Sequence, residues 1–233
     1  MRKILFVVVL IALFSAFVIG TLLYHAKPES NAPMAPQVSS AASTTNATPP
    51  LPQVDRTALV RMHSPSLGRN DAPVVIVEFF DPACEACRAF YPVVKEIMAA
   101  NPDKIRLVIR YTPLHKGADK VVTVLEAAKK QGKFWPALEA LLGAQAAWTP
   151  NHTAQIDLVW KHLDGLGLDM NQLRADMAAP EIAKIIAQDM EDGRTLGISG
   201  TPSFFVNGQP LTDFGFDQLK ELTGKALKEA QRK

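Results

Sequence analysis

Residues Val74–Ala100 read VVIVEFFDPACEACRAFYPVVKEIMAA, and the fold turns on them. Val74–Phe80 is a run of apolar and β-branched residues interrupted by Glu78 alone, the pattern of a strand buried on both faces. A short turn carrying Cys84-Glu85-Ala86-Cys87 follows, and then a helix to about Ala100. Pro92 lies inside that helix and, lacking a backbone donor, should kink it. Cys84 and Cys87 are the two cysteines of the chain. One falls at the amino end of the helix and the other one turn in.

Working outward on the C-terminal side, Asn101-Pro102-Asp103 ends the helix and Ile105–Tyr111 (IRLVIRY) is a second strand. Strand, helix and strand in this order predict a βαβ unit with parallel pairing. After the loop Thr112–His115 comes a helical block over about residues 116–196. Its expected helices are Lys116–Gln131, Phe134–Gly143, Ala154–Leu163, Met170–Ala178 and Pro180–Leu196, with glycines as breaks. Ser203–Val206 is again a strand, Asn207-Gly208 is a two-residue hairpin signal, and Gln209–Leu211 returns. Phe216–Ala230 closes the chain as a helix. On the N-terminal side, Ser64–Pro73 is a loop and Thr57–Met62 (TALVRM) is expected to be a short first strand. The whole is an α/β fold whose two β-containing halves are separated by a helical insertion.

The first 56 residues differ in kind. Met1-Arg2-Lys3 is basic, and Ile4–Leu23 is 20 uncharged, mostly aliphatic or aromatic residues. That length matches a bilayer's hydrocarbon core. Residues 1–26 are expected to be an uncleaved signal-anchor, since small-x-small cleavage sites are poor here; a cleaved signal peptide is the alternative. Arg2 and Lys3 should stay cytoplasmic and the remainder be exported. The expected setting is a periplasm, with the chain tethered to the inner membrane through residues 4–23, or soluble there after cleavage. Residues 27–56 are rich in Pro, Ala, Ser and Thr and cannot bury enough apolar surface to fold. They read as a semi-extended spacer ahead of a domain at 57–233.

Net charge is +2, with 25 basic and 23 acidic residues and no basic run. That gives no support to a nucleic-acid partner. The chemistry therefore rests on the cysteines. A helix amino end carries unpaired N–H groups and the positive end of the dipole, so a thiolate is favoured at Cys84. A thiolate is the attacking species in disulfide exchange, and Cys87 is within reach to close or resolve a disulfide. A structural zinc site would need four ligands, and no second cysteine pair exists. No metal or cofactor is expected beyond the Cys84–Cys87 disulfide itself. Two thiolates could hold Cu(I), which stays as a lesser alternative.

FFDPACEAC after a strand, GKFW in the helical block and GISGTPSFFVNG before the last hairpin resemble DsbA-like thiol:disulfide interchange proteins. The resemblance covers most of Ser64–Ala230. It implies a thioredoxin-like fold with a helical insertion, export, and dithiol chemistry. It implies that Pro202 follows a cis peptide bond and lies against the dithiol, and that Thr201 beside it pairs with an extended substrate segment. It also supports Glu78 as a buried acid exchanging protons with Cys87. Glu85 and Ala86 replace the Pro-His of strongly oxidising members. A carboxylate beside Cys84 should oppose the thiolate and make the couple milder. The expected function is an exported protein thiol–disulfide oxidoreductase, foremost an oxidase, with a reductase or isomerase as the alternative. Its partners would be cysteine-containing exported proteins and a membrane redox protein that resets the dithiol. Phe80, Pro82, Phe90 and Tyr91 are expected around the site, and Asp81, His63 and His115 are weaker candidates.

Overall fold

Strand β2 (Val74–Phe80) is buried along its whole length because both its edges are occupied. In the computed structural model, which describes residues 54–232, β3 (Ile105–Tyr111) runs parallel to it, from Val74 opposite Ile105 to Phe80 opposite Tyr111. Strand β4 (Ser203–Val206) runs antiparallel on the other side, from Ile76 opposite Val206 to Phe79 opposite Ser203. The short β1 (Ser66–Leu67) pairs antiparallel with β3, and β5 (Gln209–Pro210) antiparallel with β4. The five-stranded sheet therefore has the order β1-β3-β2-β4-β5. Asn207 and Gly208 join β4 to β5 with φ of 48° and 88°, the left-handed pair a tight hairpin turn requires.

Side-chain alternation along β2 divides the core in two. Val74, Ile76 and Phe80 pack with Cys87, Phe90 and Val94 of helix α2 (Glu85–Ala100). Val75, Val77 and Phe79 pack on the opposite face with Leu59, Val108 and Phe205. Glu78 belongs by alternation to the α2 side. Six apolar side chains of β2, at roughly 1.5–3 kcal/mol each for full burial, outweigh the cost of one buried carboxyl, whose neutral form the interior favours.

The helices between β3 and β4 form the insertion: α3 (Ala118–Lys130), α4 (Phe134–Gly143), α5 (Gln145–Trp148), α6 (Ile156–Val159), α7 (Met170–Met177) and α8 (Pro180–Thr195). Single 3-10 turns at Pro150–His152 and Trp160–His162 break it, so the expected helix Ala154–Leu163 is two short pieces. Helix α9 (Phe216–Ala230) packs Leu219 and Ala226 into the α2-side core. Helix α2 runs through Pro92 as one element.

The expected first strand at Thr57–Met62 is not one. Residues Arg56–Leu59 form a helical turn, α1. The Asp55 carboxylate accepts from the Thr57 amide at 2.8 Å and its carbonyl from the Ala58 amide at 3.0 Å, which nucleates a helix rather than a strand. The sheet edge it would have taken is held instead by β1, inside the stretch expected to be a loop. This N-terminal segment is fastened by a buried ionic cluster. Arg110 of β3, fully buried, donates to Asp189 Oδ1 of α8 at 2.8 Å, to the Leu59 carbonyl at 2.7 Å, and to Asp192. Arg61 grips Asp192 with two nitrogens at 2.8 and 2.7 Å, and His63 reaches Asp189 at 2.7 Å.

Among the described residues no helix is long and apolar enough to cross a membrane. The expected anchor at 1–26 and the spacer up to residue 53 lie outside the described residues.

Candidate active site

Cys84 is the N-cap of α2, in extended conformation (φ −78°, ψ 122°), and is 6% exposed. Its placement follows from the turn before it. The Cys84 amide donates to the Asp81 carbonyl at 3.1 Å, and the Ala83 amide to Asp81 Oδ1 at 2.8 Å. Asp81 is itself buried, and its Oδ2 accepts from the Leu114 and His115 amides and from His115 Nδ1 at 2.7–2.8 Å. The turn is held from the other side by Gln145 of α5. Its buried Nε2 donates to the carbonyls of Pro82 at 2.8 Å and Cys84 at 3.0 Å. Three separated parts of the chain therefore converge on the two residues before the helix.

The two thiols are unequal. Cys84 is brought down from 9.0 to about 6. The largest cause is a hydrogen bond from Cys87. Burial works against it, and the Thr201 side chain and the Cys87 and Ala86 amides add to it. As a neutral thiol Cys84 donates to the Thr201 carbonyl at 3.2 Å, which favours the protonated form; the combined donors prevail. Cys87 is fully buried and is pushed well up, first by burial, then by its role as donor to Cys84 and by Glu78. The sulfurs are not bonded to each other in this structure.

Glu78 is wholly buried, and neither carboxylate oxygen finds a hydrogen-bond partner among the described residues. Burial raises its proton affinity well above that of a normal carboxyl, and the charge on Cys84 raises it further. Its neutral, protonated form is the one this environment favours. The Thr201-Pro202 bond is cis, and Pro202 is buried beside the dithiol's contact with Thr201. Alternation along β2 puts Glu78 on the α2 side with Val74, Ile76 and Phe80, where the resemblance implies a buried acid.

Glu85 turns outward and pairs with His152, Nδ1 to Oε1 at 2.8 Å. Its carboxyl is held lower, first by its own backbone amide; desolvation opposes this, and the hydrogen bond and charge of His152 add to the lowering. The expected repulsion of Cys84 by Glu85 is thus partly offset by an imidazole from the insertion. Ala86 is half-buried between the cysteines. Phe80, Pro82, Phe90 and Tyr91 are all buried near the motif, whereas His63 joins the Arg110 cluster. Trp148 is core, its Nε1 donating to the Leu141 carbonyl at 2.8 Å. Gln145 escaped sequence reasoning altogether: a polar residue in an Ala-rich stretch carries no local sign of a partner 60 residues away. Among the described residues no three His, Cys, Asp or Glu side chains converge on a metal position.

A family model described as Thioredoxin matches residues 61–224. The chain belongs to the thioredoxin family. The match encloses all three DsbA-like motifs, and the DsbA-like resemblance holds. A probable disulfide bond formation protein D of Bacillus anthracis is 31% identical over 173 residues, covering 70% of this chain and 78% of that protein. A thioredoxin-like oxidoreductase from Silicibacter pomeroyi superposes with a TM-score of 0.65 at 34% identity, over 77% of this chain and 99% of the other. A Na(+)/H(+) antiporter of Salinispora tropica is 35% identical over 145 residues, 61% of this chain but 21% of the antiporter. The chain thus spans about a fifth of the length of that relative.

Proposed function

We propose that the chain is a protein thiol–disulfide oxidoreductase acting on cysteine-containing exported proteins, foremost as an oxidase. The observation that carries this reading is the split between a Cys84 held at about 6 and a Cys87 pushed well above 9.0, with the residue before a cis proline against the first. A low-affinity outer thiol is a good attacker and a good leaving group at neutral pH, and a high-affinity inner thiol is kept from wasteful attack.

In the oxidising direction a substrate thiolate attacks Cys84 Sγ. The Cys84–Cys87 bond breaks, and Cys87 leaves as a thiolate and takes up a proton. A second substrate thiolate attacks the substrate sulfur of the mixed disulfide, and Cys84 leaves as a stabilised thiolate. Two electrons have then moved from the substrate dithiol to the Cys84–Cys87 pair. A membrane redox partner accepts them and restores the disulfide. Glu78 is the acid placed to exchange the Cys87 proton in the dry interior, and when Cys87 attacks a mixed disulfide the same group takes its proton. Thr201 and Pro202 form the edge along which an extended substrate segment lies. Ile4–Leu23 would tether this head to the inner membrane on its periplasmic side.

Stabilising the Cys84 thiolate stabilises the reduced protein, and so makes the disulfide more oxidising. This favours an oxidase. Thr rather than Val before the cis proline resembles the isomerase and reductase branches and keeps that direction as the second reading. Full-length Cys87→Ser protein, produced in bacteria, should accumulate mixed disulfides with exported proteins, all lost in Cys84→Ser. Their absence would remove the oxidoreductase reading. Purified wild type should oxidise a reduced two-cysteine peptide faster than it reduces insulin; the opposite ranking would make it a reductase.

A further inference from the structure

Between the cysteines stand Glu85 and Ala86, so no cation sits inside the motif. The fold brings one to it from the loop after β3. His115 Nδ1 lies 2.7 Å from Asp81 Oδ2, and its own amide binds the same oxygen at 2.8 Å. Asp81 in turn binds the Ala83 amide through Oδ1 and the Cys84 amide through its carbonyl. The ring is therefore joined through the buried Asp81 carboxylate to the Ala83 amide, and the backbone carbonyl of the same Asp81 holds the next amide, that of Cys84. His115 is about a quarter exposed, and Nε2 has no hydrogen-bond partner among the described residues. With Nδ1 donating to a carboxylate, Nε2 is the position that takes or gives a proton. Because Asp81 also anchors the turn, a charge on this ring is fixed relative to Cys84 rather than swinging in solvent.

We propose that His115 is a positioning residue for Cys84: its imidazolium, fixed by Asp81, stabilises the Cys84 thiolate from outside the motif and sets how strongly the dithiol is drawn to its reduced form. The inference rests on the oxidoreductase reading. The charged and titratable groups around the ring are Asp81 after β2, Cys84 and Glu85 at the start of α2, Lys116 beside it in the loop, and His152 on the far side of Glu85. Burial alone would lower the proton affinity of His115, but Asp81 and then the charges of Cys84 and Glu85 raise it overall. Coupling of this kind is reciprocal. A Cys84 thiolate that holds the proton on His115 is itself held ionised by His115. Oxidation to the disulfide removes the Cys84 charge, so His115 must then release its proton more readily.

His115 is only a weaker candidate in the sequence because Asp81 lies 34 positions away, and the parallel pairing of β2 with β3 brings the two together. The test is on the reduced full-length protein. In His115→Asn the side-chain amide can keep the bond to Asp81 while losing the charge. The rate of Cys84 alkylation by iodoacetamide at pH 6 should fall about threefold to tenfold, with its pH midpoint moved up. The equilibrium with glutathione should shift by the same factor toward the disulfide, about 15–30 mV at 29.6 mV per tenfold. His115→Lys should restore most of the lost alkylation rate. In wild type, the His115 ring signal in NMR should titrate at lower pH in the oxidised than in the reduced protein. An unchanged alkylation profile in a folded His115→Asn protein, or a His115 titration indifferent to redox state, overturns the proposal. Alkylation does not require the disulfide to turn over, so failure here is separable from failure of the oxidoreductase reading, which the Cys87→Ser trap reports.

Discussion

Reduced protein should owe part of its stability to the ionised Cys84, and the amount can be worked out. The thiol sits at about 6 when folded, against an ordinary 9.0. A group depressed on folding contributes stability that is fully present above its unfolded value and is lost as pH falls through its folded value. The window is therefore pH 9 down to about pH 6. Linkage gives ~1.4 kcal/mol at pH 7, ~4 kcal/mol at pH 9 and almost nothing below pH 5. These are ceilings, because the same charge pushes up Glu78 and Cys87. For a domain of this size ~1.4 kcal/mol corresponds to roughly 3–6 °C in Tm. The assay is thermal or urea unfolding of reduced full-length wild type against Cys84→Ser from pH 5 to 9. Groups not coupled to Cys84 titrate alike in both, so the difference reports Cys84 together with its effect on Glu78 and Cys87. The gap should widen with pH above 6. A gap constant from pH 5 to 9, or one that narrows as pH rises, would refute a folded thiolate at this position.

Glu78→Gln should be more stable than wild type at pH 8, because it removes a carboxyl whose raised folded affinity costs stability increasingly as pH rises above about 4.5. The same variant should slow attack of Cys87 on a mixed disulfide by about tenfold or more, measured by rapid quench. Stability that rises while resolution is untouched would leave Glu78 a bystander. Glu85→His should make the couple more oxidising by about threefold to tenfold against glutathione, or ~15–30 mV. A smaller change in Glu85→Gln is expected, since His152 already offsets part of the charge; no rise in Glu85→His contradicts the repulsion argument. Arg110→Met should cost about 3–5 kcal/mol in urea unfolding, because it strands buried Asp189 without its cation. A loss under 1 kcal/mol would mean the cluster contributes little.

Much of this architecture is legible in local pattern. Val74–Phe80 is apolar because both faces and both edges are covered, and Asn207-Gly208 has the residues a tight hairpin needs. Readings failed where tertiary partners decide. TALVRM has strand propensity, but Asp55 caps it into a helical turn and β1 already fills the edge. Glu78 was visible as an anomaly, while its direction needed the sheet's register. Cys84 and Cys87 declared their chemistry by spacing. The parts that hold them, Gln145 through two carbonyls and His115 through Asp81, involve residue types that loops and helices use everywhere, and only the folded chain brings them to the turn.

The attachment of Val54 has a geometric outcome. Its amide binds the Gly208 carbonyl at 2.9 Å, just past Asn207, whose amide binds Val75 at the start of β2. Cys84 lies beyond the other end of that strand. From Val75 to Phe80 alone the strand spans about 17 Å at ~3.3 Å per residue. Chain arriving at residue 54 therefore reaches the sheet at the pole opposite the thiols. Force entering the described residues at Val54 would load the hairpin end and the Arg110 clasp before it reached the turn that carries Cys84.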